Sequence, residues 1–285
     1  MNKKKLIIGG VPEHFNLPWH QLIDSKPDHL IDSQLLWKDF KGGTGAMCKA
    51  LQSKEIDIAV ILTEGIIKDI IEGNPCKIVQ TYVQSPLLWG IHVAASSPIY
   101  QIEELEGTTA AISRFGSGSH LMSYVLASKK NWNTDQLKFK VIQNLDGAVK
   151  ALSNQEAEFF MWEHFTTKPL VDQGIFRRIG DCPTPWPCFV IAVREEILQT
   201  REIEIKKVLT ALNKRTSQFK KIKNIEETLA NQYDQKVIDI KEWLEITEWS
   251  NEIPQKNEIK LVQNTLSDLG LIDRKMAYKD LIYEL

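Results

Sequence analysis

One local pattern occurs twice in the 285-residue chain, about a hundred residues apart. The first copy, "KALQSKEIDIAVI", starts at Lys49; the second, "KALSNQEAEFFMW", starts at Lys150. Both read Lys-Ala-Leu, three variable residues, Glu, then apolar, acidic, apolar, apolar. Each reads as the end of a helix running into a strand, and each helix begins near a glycine, Gly45 or Gly147. A helix–strand unit used twice predicts two lobes of related topology.

The surrounding sequence fits that plan. Short apolar runs alternate with helical patterns and predict strands at 5–8, 34–40, 57–62, 77–83, 88–94, 108–112, 138–142, 158–162 and 189–193. Such alternation predicts an α/β fold with largely parallel pairing. From Glu195 onward the pattern changes. Ile205, Val208, Leu209 and Leu212 recur at helical spacing on one face. The segment to Leu285 is expected to be mainly helical and to pack on the first lobe. The runs "LLWGIHVAAS" and "PCFVIAV" are the expected crossings between lobes. They give lobe I as residues 1–91 and 192–285, and lobe II as residues 92–191. Two crossings imply a hinge with a cleft, and ligands of open α/β sheets bind outside the carboxyl ends of strands.

Composition removes several classes of function. A net charge of -2 gives no basic excess, so nucleic acid is not an expected partner. No apolar stretch approaches the ~20 residues of a membrane span, so no membrane insertion is expected. The first apolar run, "LIIGGV", stops at Pro12 and Glu13. It falls short of the ~7–15 residues of a secretory h-region, which places the expected location in the cytoplasm. The cysteines, Cys48, Cys76, Cys182 and Cys188, match no zinc spacing. Packed thiols are expected there, with no metal and no cofactor.

Candidate ligand contacts lie at predicted strand ends. In "SRFGSGSHLM", Gly116 and Gly118 permit tight backbone geometry, and Ser117 or Ser119 can cap the helix that follows. Free N–H groups there favour a negative ligand group, to which Arg114 adds a guanidinium and His120 an imidazole. The lysine of a P-loop and the third glycine of a dinucleotide fingerprint are both missing. A capped helix beside a surface arginine is the plainer reading of the same residues. In the first half, Gly43, Thr44 and Gly45 open a second helix, with Thr44 as the expected N-cap. The loop after the first strand offers Pro12, Glu13, His14 and Phe15. The two copies of the repeated pattern end in Thr63 and Glu64, and in Trp162, Glu163 and His164. Each lobe thus presents one carboxylate, and a mixed site suits a zwitterion or an amino-substituted heterocycle. Trp186, stiffened by Pro183, Pro185 and Pro187, is either a stacking wall at the hinge or a buried plug. Trp243 and Trp249 are expected to pack in the core.

Taken together, "GGTGAMCKAL" followed by "DIAVILTEG", then "LEGTTAAISRFGSGSHLMSYVLA", then "GAVKALSNQEAEFFMWE" resemble the type 2 periplasmic-binding-protein fold. The resemblance covers roughly residues 5–193 and is nearest the branch that binds sulfonates, nitrate or thiamine-pyrimidine precursors. "SRFGSGSHLMSYVL" with "PTPWPCFVIAV" resembles a leaderless subgroup of bacteria and fungi. The resemblance implies capture of a small molecule at the cleft. Delivery to a membrane transporter, usual for that fold, is in doubt without an export signal. The cysteine-rich, iron-associated cluster of similar fungal pyrimidine-synthesising proteins is missing, so their chemistry is not implied. The leading expectation is a solute-binding-like protein for a small anionic, zwitterionic or heterocyclic ligand. The alternatives are a biosynthetic enzyme with His14, Glu64, Glu163 or His120 as acid or base, and a ligand sensor.

Overall fold

Both copies of the repeated pattern fold alike, down to single hydrogen bonds. The computed structural model describes residues 4–26 and 32–285. In each copy the residue after the helix C-cap takes the left-handed region, Lys54 at φ 63° and Gln155 at φ 58°. Glu55 then donates its N–H to Ala50, and Glu156 to Ala151, each at 2.8 Å. The acidic residue two positions on pins the neighbouring strand. Asp57 Oδ2 accepts the N–H of Ile7 at 2.9 Å, and Glu158 Oε2 accepts that of Thr109 at 2.7 Å. The Lys-Ala-Leu…Glu-x-acid pattern therefore encodes a helix stop, a turn and a strand register.

The chain forms two compact units, Met1–Ser85 with Trp186–Leu285, and Pro86–Pro185. The first opens with β1 (Lys5–Gly10), α1 (Leu17–Asp24), β2 (Gln34–Asp39), α2 (Thr44–Gln52), β3 (Ile58–Leu62), α3 (Thr63–Ile71) and β4 (Cys76–Val83). The second contains β5 (Leu88–Ala94), β6 (Thr109–Ile112), α4 (Gly118–Lys130), β7 (Lys138–Val141), α5 (Leu145–Ser153), β8 (Phe159–Glu163), α6 (Lys168–Asp172) and β9 (Phe176–Pro183). The chain then returns to the first unit with β10 (Phe189–Arg194), α7 (Glu195–Phe219), α8 (Ile225–Tyr233), α9 (Val237–Ile246), α10 (Lys256–Asp268) and α11 (Tyr278–Leu281). The expected boundaries at 91/92 and 191/192 run through β5 and β10. The units divide before both strands, because β5 pairs with β8 and β9 while β10 pairs with β3 and β4.

Strand order is β2-β1-β3-β10-β4 in one sheet and β7-β6-β8-β5-β9 in the other. The orders correspond strand for strand, as the repeated pattern predicts. Pairing is mixed rather than largely parallel: β10 and β5 each run antiparallel to both neighbours. These two follow directly on a crossing, which reverses the chain without a βαβ connection. β9 is an addition to the nine expected strands. Its sequence, FRRIGDCP, carries two arginines and a glycine and lies at a sheet edge, where alternation is weak. β3 and β10 are buried almost throughout. The face of α7 built from Ile205, Val208, Leu209 and Leu212 is also buried.

The second core is drawn tight under α5, where Ala148, Ala151 and Leu152 meet Ala111, Phe160 and Phe176. A Cβ added at Gly147 would lie 1.9 Å from the carbonyl oxygen of Ile142. That oxygen is backbone, so α5 must move. Gly147→Ala is expected to cost about 1–3 kcal/mol, an overpacking effect. Urea unfolding measures it, and a midpoint equal to wild type would show that α5 shifts freely.

Candidate functional site

In the first unit β1, β2, β3 and β4 point the same way and β10 runs against them. Their carboxyl ends, and the start of β10, therefore share one edge. Gly10 stands beside Asp39 there, and Phe189 stands between Leu62 and Val83. Pro12–Phe15, Gly43–Gly45, Thr63, Glu64 and Trp186 all follow or precede these ends, so the fold gathers them at one edge. Pro12 is exposed and Glu13 half-buried, whereas His14 is only 1% exposed. The His14 imidazole stacks on Trp243 with centroids 4.3 Å apart and planes at 21°. Phe15 meets Phe189 and Trp243 at 5.1 Å, and its carbonyl accepts Tyr82 Oη–H at 2.7 Å. Neither ring nitrogen of His14 has a hydrogen-bond partner. Burial drives its pKa from 6.5 down to about 3, so the ring is neutral.

The N-cap of α2 is Gly43, at φ 64°, and not Thr44. Thr44 is the first helical residue, buried against the start of α3. A Cβ at Gly65 would sit 2.3 Å from Thr44 Cγ2, so the two helix starts touch only because residue 65 is glycine. Glu64 lies in the first turn of α3 and is 2% exposed. Trp186 donates its indole N–H to Glu64 Oε2 at 2.9 Å, while Oε1 has no partner. Burial raises the carboxyl from 4.5 to about 7, against the hydrogen bonds from its own backbone and from the indole, which lower it. Thr63 donates its hydroxyl to the carbonyl of Pro187 at 2.5 Å. The start of α3 thus holds the returning chain on both sides of the proline. Trp186 is buried, the plug reading of the two given above.

The second unit repeats the arrangement. Its edge is marked by Ile112 beside Val141, Trp89 beside Glu163 and Leu88 beside Pro183. Arg114, Gly116–His120, Glu163 and His164 follow these ends. Gly116 takes φ 75° and donates its N–H to His120 Nδ1 at 3.2 Å. Ser117 is the N-cap of α4: its Oγ accepts the N–H of His120 at 3.4 Å and donates to the carbonyl of Arg114 at 2.7 Å. Ser119 Oγ accepts the N–H of Ser113 at 3.0 Å. The hydroxyls thus build the turn. The N–H groups of Gly118 and Ser119 occupy the first two helical positions, which lack intrahelical acceptors. His120 packs among Phe115, Tyr124 and Phe139, and its burial lowers its pKa. Arg114 is half-buried, and Phe115 is 65% exposed beside it.

Two expected contacts serve other ends. Trp162 lies within β8, stacks on Phe160 at 5.4 Å and packs against the second core. Glu163 is buried, which raises its pKa, and Oε2 accepts both the N–H and the hydroxyl of Thr166, at 2.6 and 2.8 Å. It braces the turn after β8. Beside it His164 Nδ1 lies 2.7 Å from Asp181 Oδ1. Sequence reasoning left out Phe115, Tyr233 and the part of Trp243 in the His14 stack. Phe115 was readable from its place in "SRFGSGS"; the other two reach His14 only through the tertiary fold. All four cysteines are buried thiols, and among the described residues no group of His, Cys, Asp and Glu suits a metal ion.

Comparison with known proteins agrees with this architecture. The family described as Ca3427-like PBP matches residues 89–182. The Candida albicans CA3427 gene product, described as defining a family with the generic periplasmic-binding-protein fold, is similar over 95% of this chain and 92% of its own. Its identity is 27% and its TM-score 0.86. The alkanesulfonate-binding protein SsuA from Xanthomonas axonopodis pv. citri, solved bound to MOPS, has a TM-score of 0.84 at 14% identity with both chains fully covered. The Escherichia coli aliphatic sulphonate-binding SsuA gives 0.75 at 18% identity over 98% of this chain and 97% of its own. No curated protein matches the chain.

Proposed function

We propose that this chain, a type 2 periplasmic-binding-protein fold of the Ca3427-like PBP family, is a solute-binding-like protein that captures a small anionic or zwitterionic molecule without transforming it. Proteins of this fold close on their ligands by domain motion. The observation that carries the reading is the turn at Arg114–Ser119, which places an arginine three residues before the N-cap Ser117 of α4 at a strand-end edge. A helix start of this kind favours a carboxylate, sulfonate or phosphate. The structural likeness to an SsuA solved with MOPS makes a sulfonate the first anion to try.

Charge-assisted hydrogen bonds contribute about 1.5–3 kcal/mol in a protected site. Arg114→Ala should therefore weaken binding of propane-1-sulfonate about 10- to 100-fold in calorimetric titration. Ser117→Ala should weaken it less, because backbone donors remain, but should cost about 0.5–2 kcal/mol of stability through loss of the N-cap. Affinity unchanged in a folded Arg114→Ala variant would reduce the turn to a helix cap. Native mass spectrometry of freshly purified protein should show a retained small molecule, with its mass unaltered after prolonged incubation. A changed mass would favour an enzyme.

A further inference from the structure

The first unit carries a cavity of about 360 Å³ between α10 and the chain that follows it, and the cavity shares no residue with either strand-end edge. A volume of this size suits a small molecule. α10 supplies Lys256, Ile259, Lys260, Gln263 and Asn264, whose spacing of three and four puts them on one helix face. Lys275, Met276 and Tyr278 form the facing wall. Side chains fix that wall in place. Gln263, only 6% exposed, donates from Nε2 to the Met276 carbonyl at 3.2 Å and accepts the Met276 N–H on Oε1 at 2.8 Å. Tyr278 donates its hydroxyl to the carbonyl of Pro254, ahead of α10, at 2.7 Å. Three ammonium groups line the cavity and no carboxylate does. Lys256 lies over the Tyr278 ring, 5.5 Å from its centroid, and Lys275 donates to Asn264 Oδ1 at 2.8 Å. Among the described residues none of the three lysines pairs with a carboxylate. Lysines elsewhere in the unit do, Lys54 with Glu196 at 2.6 Å and Lys77 with Glu195 at 3.2 Å. Lys256 and Lys260 stand four apart on one helix, where like charges destabilise. Glu258, in the first turn of α10, is engaged on both oxygens, by Gln84 Nε2 and by the Gln255 N–H, each at 2.9 Å. Glu284 and Glu258 act on Tyr278, but neither lines the cavity. A chain of net charge -2 thus gathers uncompensated positive charge around one cavity.

We propose that this cavity binds an organic phosphate, with the phosphate group among Lys256, Lys260 and Lys275 and the body of the molecule against Ile259 and Met276. Lysine serves phosphate as a point charge. A phosphate monoester carries a charge of about -1.5 to -2 at neutral pH, which answers three ammonium groups better than a singly charged carboxylate or sulfonate does. The Asn264 amide adds a neutral donor beside them. This site stands apart from the ligand-capture reading and does not depend on it.

Phenyl phosphate is the probe, and the methyl group of Met276 reports on it. Of the five methionines only Met276 lines the cavity. In nuclear magnetic resonance of isotope-labelled methionine methyls, Met276→Leu identifies the signal. Phenyl phosphate should move that signal along a saturable curve with a dissociation constant of about 1 mM or below. Inorganic phosphate should bind more weakly, because it has no apolar body to bury. Lys260→Gln combined with Lys275→Gln should weaken phenyl phosphate about tenfold or more, equivalent to ~1.4 kcal/mol. A thermal melt confirms that the double variant is folded. Arg114→Ala, in the other unit, should leave the Met276 curve as in wild type. A shift that never saturates overturns the site and reduces it to general charge screening. Wild-type affinity in the double variant also overturns it. A curve lost in Arg114→Ala overturns it too and assigns the phosphate to that turn. Inorganic phosphate binding as tightly as phenyl phosphate overturns the organic class.

Discussion

Asp57→Ala is expected to destabilise the protein by about 3–5 kcal/mol, the usual result of stranding one member of a buried ion pair. Asp57 and Arg194 are both buried and meet at 2.6 Å between Oδ1 and Nη2. The second carboxylate oxygen accepts the Ile7 N–H, so one side chain ties β1, β3 and β10 together. Without it, Arg194 keeps a bond from Nε to the carbonyl of Ile56 at 3.1 Å and a longer contact to Glu196, whose side chain is largely exposed. Neither neutralises a guanidinium removed from water. Glu158→Ala is the matched control. It occupies the same place in the second copy, and its recorded bond is to the Thr109 N–H, so its loss should cost about 1–3 kcal/mol. A double variant, Asp57→Leu with Arg194→Met, should recover most of the loss, since it leaves no charge behind. Denaturant unfolding of the four proteins decides. An Asp57→Ala midpoint equal to that of Glu158→Ala would mean that water reaches Arg194.

That pair also shows how far the sequence is readable. The repeated pattern announces the helix stop, the strand and the equivalence of the two units because its signals are local. An amide that must fold back, an apolar strand and an acidic residue beside it all lie within thirteen positions. The partner of Asp57 is 137 residues away and leaves no local mark. The same division holds at the candidate site. The glycines and serines of 113–119 announce a turn and an N-cap, and the N-cap is Ser117. Thr44 misleads because the residue before it is a glycine free to take φ 64° and serve as the cap itself. Glu64 and Glu163 look alike in sequence, one carboxyl per repeated strand, but the threonine three residues after Glu163 binds its oxygen. Position 67, at the same spacing from Glu64, is isoleucine and has no hydroxyl to offer. A local difference that small separates a carboxyl bracing a turn from one with an open oxygen. Tyr233 and Trp243 belong to a helical tail whose spacing speaks only of burial. That their rings close on His14 follows from the packing of α8 and α9 against the first sheet's edge.

His14 and Glu64 titrate in opposite senses, and this gives the second large effect. The folded pKa of His14 is about 3, below its unfolded value of 6.5. As pH falls through 6.5 the unfolded chain takes up a proton that the folded chain refuses. The stability tied to His14 is whole above 6.5 and is lost on acidification. Wild type should therefore lose up to about 1.4 kcal/mol per pH unit relative to His14→Phe between about pH 6.5 and 3. Glu64 behaves inversely. Its folded pKa of about 7 exceeds its unfolded 4.5, so its contribution is whole below 4.5 and is lost as pH rises through 7. Wild type should lose stability relative to Glu64→Gln on going from pH 4.5 to 7, again by up to about 1.4 kcal/mol per unit. His92, also buried and lowered to about 4, acts in the direction of His14 but is common to every variant and cancels in each difference. Between pH 4.5 and 6.5 the two effects oppose each other. Removing His14 leaves Glu64 to favour acid, and removing Glu64 leaves His14 to favour neutrality, so the two variants should diverge in opposite directions from wild type. Urea midpoints at half-unit intervals from pH 4 to 8 measure this. Curves that run parallel to wild type in both variants would mean that solvent reaches His14 and Glu64, and that neither is held in the folded protein as its burial requires.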